Sequence, residues 1–253
     1  MIWKIIAQSV TGTSHQQAER GCEDAHAFEL VPLPSGDEAL ICCVSDGAGS
    51  AAHAAEASKL VVDQTCQLLA GILRDGKEVS GNEILSTLES VYDQLLQKAE
   101  ENYENINEYS CTLLGAVITE FKALFFQIGD GAIVREDNSD HYTPVWWPQN
   151  GEYSNSTSFL VDDPNMGQLR IILIEETVKE ISILTDGLQL LTLNNESMSV
   201  HQPFFTDLFR WLRMATEPDH LAVLNRKLGE YLNSDLINSR TDDDKTLLLA
   251  TRF

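Results

Sequence analysis

Three apolar runs of the sequence end in the same dipeptide, an aspartate followed by a glycine. The dipeptides are Asp46-Gly47, Asp130-Gly131 and Asp186-Gly187. One such dipeptide is typical of a hairpin turn, because Asp and Gly tolerate positive φ. Three copies, each at the end of a strand-like run, instead favour a site in which carboxylates meet at one edge of a sheet.

Two further acidic clusters precede strand-like runs, Glu23-Asp24 and Asp242-Asp243-Asp244. Two carboxylates about 4 Å apart repel by about 4 kcal/mol at an effective dielectric of 20, so a gathered cluster needs protons or cations. Ligands that are all oxygen select hard cations such as Mg²⁺, Mn²⁺ or Ca²⁺. Two such ions sharing a carboxylate would perform phosphoryl chemistry. An acidic calcium-binding module without hydrolytic activity is an alternative, although no twelve-residue calcium loop is present in the sequence.

The overall charge limits the partners of the protein. The chain has 253 residues, of which 39 are acidic and 17 basic, and its formal net charge is −22. This charge argues against nucleic-acid binding and against anionic membrane surfaces. No apolar run approaches the roughly 20 residues that span a bilayer. The composition therefore predicts a cytoplasmic globular protein, which we expect to be a monomer with one domain over residues 1–253.

The spacing of apolar residues predicts both strands and helices. Strand-like runs rich in Ile, Val, Leu, Phe and Thr cover residues 2–10, 25–31, 39–45, 111–119, 123–128, 132–136, 169–175, 180–185 and 246–251. Helical patterns cover residues 51–73, 203–215 and 218–233, and another begins at Ser80 with Glu83 as a capping box. Strands in hairpin-like groups and helices in pairs predict an α+β fold with antiparallel sheets.

Six motifs carry a resemblance to a known family. They are RGCEDA at 20–25, VSDGAGS at 44–50, CTLLGAVI at 111–118, QIGDGAIV at 127–134, ILTDG at 183–187 and DDKTLLLA at 243–250. Their order and spacing resemble the metal-dependent PPM family, the type 2C serine/threonine protein phosphatases. The resemblance covers nearly the whole chain, from about residue 12 to residue 250.

The resemblance implies a four-layer α-β-β-α sandwich, with two central antiparallel sheets flanked by helix pairs and two Mg²⁺ or Mn²⁺ ions in a cleft. It implies that Asp46 bridges the two ions and that the Gly47 carbonyl and Glu23 serve one of them. Asp186 and Asp243 would serve the other ion. The ligands implied for the metal site, including a weaker third position, are Glu23, Asp46, Gly47, Asp130, Asp186 and Asp243, with Asp24 linked through water.

The sequence departs from the family pattern at three positions. Ala48 stands where the animal enzymes have a histidine that protonates the leaving group, so the proton must come from water or from another residue. Arg20, the candidate substrate-binding residue, lies one position closer to the acidic pair than the phosphate-binding arginine of the family. Asp244 replaces an asparagine that usually follows the last metal aspartate.

The resemblance implies a phosphoprotein phosphatase that hydrolyses phosphoserine and phosphothreonine by direct attack of a metal-bound hydroxide, with Asp46, Asp186 and Asp243 as its catalytic residues. Its expected partners are a phosphorylated protein substrate and a serine/threonine kinase. Residues 137–168, with little regular pattern, fall where the family has a variable flap. The alternative is a catalytically weak or inactive member that acts as a regulatory binding module.

Overall fold

The structure, a computed structural model, describes residues 2–137, 139, 141–148 and 157–252. The chain divides into two compact units. The terminal unit comprises Met1–Cys22, Gly131–Pro148 and Val178–Phe253, and the central unit comprises Glu23–Asp130 and Gln149–Thr177. The expectation of one domain over residues 1–253 stays a prediction.

The elements alternate between short strands and helices along the chain. The strands are β1 (Trp3–Val10), β2 (Ala25–Pro32), β3 (Glu38–Ser45), β4 (Leu113–Ile118), β5 (Ala123–Ile128), β6 (Ala132–Glu136), β7 (Tyr142–Pro144), β8 (Arg170–Ile174), β9 (Glu180–Leu184), β10 (Leu193–Asn194), β11 (Ser199–Val200) and β12 (Lys245–Arg252). The α-helices are α1 (Thr13–Gln17), α2 (Ala54–Arg74), α3 (Gly81–Glu101), α4 (Gln189–Thr192), α5 (Gln202–Met214), α6 (Pro218–Leu232) and α7 (Asp235–Asn238). Ile106–Tyr109 and Asp186–Leu188 form single 3-10 turns.

The central unit is built on a five-stranded antiparallel sheet in the order β2-β3-β4-β5-β8. Helix α2 packs on β2 and β3, and α3 packs on α2. Every residue of β4 and β5 is buried. Apart from Gln127 in β5, neither strand has a polar side chain, as expected for strands that are covered on both faces. Helix α3 begins as expected, because Ser80 and Glu83 form a capping box.

The terminal unit has a second five-stranded antiparallel sheet, in the order β1-β12-β9-β6-β7. Helices α5 and α6 pack against β1 and β12, and their apolar stripes enter a core with Phe205, Phe209 and Leu232. Both α5 and α6 have a proline within their first two residues, where the missing N–H costs nothing.

The predicted α+β class, with two antiparallel sheets and a helix pair for each, is confirmed, and the predicted strands and helices lie within three residues of the observed bounds. The sequence predicts a hairpin-like group of the strands at 111–119, 123–128 and 132–136. This grouping is wrong at β6, which pairs with β7 and β9 rather than with β5. The second edge of β5 is occupied by β8. None of the three Asp-Gly dipeptides closes a two-residue hairpin, because each leads into a turn or to another sheet.

The segment expected to be an irregular flap contains the short strand β7, which pairs with β6. Residues 138, 140 and 149–156 of this segment lie outside the described residues. Trp147 packs on the core of the terminal unit. Among the described residues, no helix combines the length and the apolar character that crossing a membrane requires.

Candidate metal centre

Asp46 follows the last residue of β3 and is held by the strand next to it. The backbone N–H of Asp46 donates to Thr112 Oγ1 at 2.9 Å, and its carbonyl accepts from the Thr112 N–H at 2.8 Å. The Ser45 hydroxyl donates to the Thr112 carbonyl at 2.5 Å. These three bonds to Thr112 fix Ser45 and the backbone of Asp46. The position of the half-buried Asp46 side chain is therefore restricted.

Asp130 lies beyond the end of β5, and one of its carboxylate oxygens is within 4.8 Å of one from Asp46. Gly129 makes this approach feasible: its φ is +107°, and a Cβ there would lie 2.5 Å from Thr112 Cγ2. The hydroxyl of Thr157 donates to Asp130 Oδ2 at 2.6 Å. The sequence assigns no role to Thr112, although it lies in the motif at 111–118, or to Thr157, because nothing in their spacing links these threonines to the aspartates.

Glu23 and Asp24 lie immediately before β2, and each residue is only 7% exposed. The Glu23 carbonyl accepts from Ser58 Oγ of α2 at 2.5 Å and from the Gly47 N–H at 3.2 Å. These bonds tie the Glu23 backbone to the residue that follows Asp46. Two adjacent carboxyl groups with so little access to water are costly to keep ionised unless donors or a cation compensate them.

In the terminal unit, Asp186 opens a 3-10 turn after β9 and Asp243 lies just before β12. These two strands are neighbours, with Leu184 opposite Leu247. Thr185 and Thr246 extend the pairing, since the Thr246 N–H donates to Thr185 Oγ1 at 3.0 Å. The register therefore brings Asp186 and Asp243 to the same edge of this sheet.

The surroundings of Asp243 favour a compensating positive charge. Partial burial raises the pKa of the Asp243 carboxyl above its usual range, and the nearby negative charge of Asp244 adds to this increase. The N–H of Asp244 donates to Asp243 Oδ1 at 2.9 Å, which opposes the rise in pKa. Asp244 itself is buried at 2% exposure. The acidic run suggests that Asp244 is either solvated or placed behind a metal ligand, and its burial excludes the solvated position.

Ala48 is buried and packs with Ala51, Ala54 and Phe159. Its N–H donates to the Ser110 carbonyl at 2.9 Å, and its methyl group has no proton to transfer. The histidine nearest to Ala48 in the sequence, His53, stacks on Tyr109 and contacts Glu104 at 2.7 Å. Arg20, the candidate phosphate-binding residue, is exposed in the turn after α1.

The donors present fit a hard divalent cation. All the side chains predicted as ligands offer carboxylate oxygens, which suit Mg²⁺ and Mn²⁺. A soft thiolate is not offered beside Asp46, because burial raises the pKa of the Cys111 thiol to about 12, with the Asp46 charge adding to the effect. Buried Glu23 and the close pair Asp46 and Asp130 both place negative charge where a cation would relieve it.

A family model described as "Protein phosphatase 2C" matches residues 11–233. The chain belongs to the protein phosphatase 2C family. It is 33% identical over 252 residues to serine/threonine-protein phosphatase 3 of Escherichia coli (strain K12), which covers 99% of this phosphatase 2C chain and 98% of the relative. Asp243 lies beyond the residues that the family model matches, but within the span of an alignment that covers almost the whole chain.

Solved structures share the fold at lower identity. PppA of Pseudomonas aeruginosa is 16% identical with a TM-score of 0.64, and covers 100% of this chain and 99% of its own. The catalytic domain of the serine/threonine phosphatase PstP, solved in complex with two manganese ions, is 14% identical with a TM-score of 0.61, over 98% and 97% of the two chains. The resemblance to type 2C phosphatases, the α+β fold class and the assignment to the enzyme class of this family are confirmed.

Proposed function

We propose that this phosphatase 2C protein hydrolyses phosphoserine and phosphothreonine in proteins, and that it does so with two Mg²⁺ or Mn²⁺ ions. The observation that carries the proposal is the pair of carboxylates from Asp46 and Asp130, within 4.8 Å at the ends of two strands. Membership of the family supports the reaction class, and the two manganese ions of the PstP catalytic domain support the cofactor.

We assign roles to the residues by their positions in the family motifs. Asp46 would bridge the two ions, with the Gly47 carbonyl and Glu23 on one of them. Asp186 and Asp243 would hold the other ion, and Asp130 with Asp186 would form a weaker third position. The buried Glu23 and the strand-end positions of the aspartates support this set.

When bound, the two cations would acidify a water molecule and neutralise phosphate oxygens, which is what in-line attack on phosphorus requires. The chain contributes the fixed ligand frame: Thr112 orients Asp46, and Ser58 fixes the Glu23 backbone. Attack occurs directly on phosphorus, so no phosphorylated side chain forms. With Ala48 in place of a proton donor, the leaving serine or threonine oxygen would take its proton from water or from another residue. Exposed Arg20 is the candidate contact for the phosphate.

Purified protein assayed on p-nitrophenyl phosphate and on a phosphothreonine peptide tests the proposal. We expect no turnover in EDTA, recovery with Mn²⁺ or Mg²⁺, and two bound cations by titration calorimetry. Asp186→Asn should abolish turnover, whereas Asp207→Asn, at an exposed acidic residue of α5, serves as the matched control. Hydrolysis that persists in EDTA, or that is undiminished in Asp186→Asn, would refute the mechanism.

The alternative of a regulatory module without catalysis has no supporting observation, and the acidic ligand set is a reason to disfavour it. A module of that kind would bind a partner while turning over neither substrate at any cation concentration. A kinase partner, a monomeric state and the lack of nucleic-acid binding stay predictions, which pull-down, light scattering and a DNA-binding assay would test.

A further inference from the structure

The acidic segment Asp242–Asp244 is bound by Gly12 and by the first residues of helix α1. The backbone N–H and the hydroxyl of Ser14 both donate to the Asp242 carbonyl, at 2.9 and 2.7 Å. The Gly12 N–H donates to Asp244 Oδ1 at 2.6 Å. A Cβ on Gly12 would lie 2.2 Å from the Asp243 carbonyl carbon, so the two backbones are in direct contact only because residue 12 is glycine.

His15 also contacts the buried Asp244 carboxylate. His15 Nδ1 lies 3.0 Å from Asp244 Oδ2, and the side chains are 14% and 2% exposed. An ionised carboxylate can only accept hydrogen bonds, so the imidazole proton of this bond must lie on Nδ1. Both oxygens of Asp244 are thus bonded, one to Gly12 and the other to His15 of α1, and these bonds fix the Asp244 side chain.

The backbone of Asp244 in turn holds Asp243. The Asp244 N–H donates to Asp243 Oδ1 at 2.9 Å, which leaves Oδ2 as the oxygen without this bond. The contacts form one chain from His15, through the Asp244 side chain and backbone, to the Asp243 carboxylate. The sequence shows no pattern that links His15 to Asp244, because the two residues lie 229 positions apart.

We propose that His15 and Asp244 are positioning residues that orient the Asp243 carboxylate for its cation. The inference rests on the proposed function, in which Asp243 binds a metal ion. Groups that hydrogen-bond a metal ligand set its orientation, and removing them typically weakens metal affinity by about 10–100-fold. Neither His15 nor Asp244 needs to contact the phosphate or a cation in this role.

Four variants test the proposal: His15→Ala, Asp244→Ala, the conservative His15→Gln, and His220→Ala as a control at an exposed histidine of α6. Mn²⁺ titration calorimetry and steady-state kinetics with a phosphothreonine peptide are the main measurements. We expect His15→Ala and Asp244→Ala to weaken Mn²⁺ binding at one of the two main sites by about 10-fold or more and to lower kcat at subsaturating Mn²⁺, with KM for the peptide changed less than about 2-fold. His15→Gln retains an N–H donor and should recover most of the affinity.

The double variant His15→Ala/Asp244→Ala distinguishes one connected chain from two separate effects. Residues that act through each other give a double variant no worse than the more damaged single variant, whereas independent residues give additive losses. Thermal unfolding in EDTA separates positioning from folding: a Mn²⁺ affinity loss with the metal-free protein still folded at the assay temperature supports the proposal. If Asp244→Ala does not fold, the comparison of His15→Ala with His15→Gln carries the test, with the same expected loss and recovery of Mn²⁺ affinity.

The wild-type protein tests the proposed function, and the variants test the positioning role. If the wild-type protein binds no Mn²⁺ or does not hydrolyse the peptide, the proposed function is wrong and this inference with it. If the wild-type protein binds Mn²⁺ and turns over, unchanged affinity in His15→Ala and Asp244→Ala, additive losses, or a loss explained entirely by unfolding would each overturn the positioning role.

Discussion

Asp46→Asn should make the metal-free protein more stable while it removes catalysis. Carboxylate oxygens of Asp46 and Asp130 lie within 4.8 Å, a separation at which two unit charges repel by about 3.5 kcal/mol at an effective dielectric of 20. Both side chains are only half-buried, so water reduces the repulsion, and we expect a gain of about 1–2 kcal/mol. For a chain of this size, that corresponds to an increase of roughly 2–8 °C in Tm.

Thermal unfolding at pH 7.5 measures this effect in EDTA and in excess Mn²⁺. In EDTA, the wild-type protein should be less stable than Asp46→Asn. The wild-type protein should gain stability with Mn²⁺, because a ligand that binds only the folded state stabilises it by mass action. Asp46→Asn should not respond to Mn²⁺ and should not hydrolyse the phosphothreonine peptide. Asp207→Asn is the control for removing one negative charge from the exposed surface. An Asp46→Asn protein that is less stable in EDTA than wild type would refute the reasoning from carboxylate repulsion.

Three further changes test the frame of the site. Gly129→Ala should destabilise the protein by about 1–3 kcal/mol in urea unfolding, because alanine is strained at a φ of +107° and its Cβ would meet Thr112; wild-type stability would contradict this. Ser58→Ala removes the donor at 2.5 Å to the Glu23 carbonyl, so we expect a loss of about 1 kcal/mol and weaker Mn²⁺ binding by calorimetry, and unchanged values for both would count against a supporting role. Because the pKa of Asp243 is raised in the folded protein, its contribution to stability in EDTA should decrease as the pH rises from the ordinary aspartate pKa through the raised value. Asp243→Asn should lack this decrease. If the free energy of unfolding in EDTA changed with pH in the same way for the wild type and the variant between pH 4 and 7, the predicted contribution of Asp243 would be wrong.

Because residue 48 is alanine, we expect the pH profile of the enzyme to show no titration of a histidine at this position. Ala48 packs with Ala51, Ala54 and Phe159, and its methyl group cannot titrate. His53, the next histidine along the chain, is engaged with Tyr109 and Glu104. We therefore expect the proton for the leaving group to come from water or from another residue.

Local chemistry made the helices and strands of this protein predictable. The capping box at Ser80 and Glu83 and the prolines that open α5 and α6 act within a few residues of the chain, so their effect can be read without the fold. The recurrence of Asp-Gly after apolar runs likewise indicated where carboxylates would stand. Three copies of Asp-Gly at strand ends favoured a carboxylate site over three hairpin turns. The structure shows that none of the three closes a tight hairpin.

Contacts between distant parts of the chain were decided only by tertiary structure. The sequence offered no reason to place β6 away from β5, because strand partners depend on which sheet edges are already occupied. The same holds for Thr112 behind Asp46, Thr157 on Asp130 and His15 on Asp244. The acidic residues and their resemblance to a phosphatase family could therefore be recognised in the sequence. The hydrogen-bond donors that orient those residues could not, because they lie far away in the sequence and only folding brings them into contact.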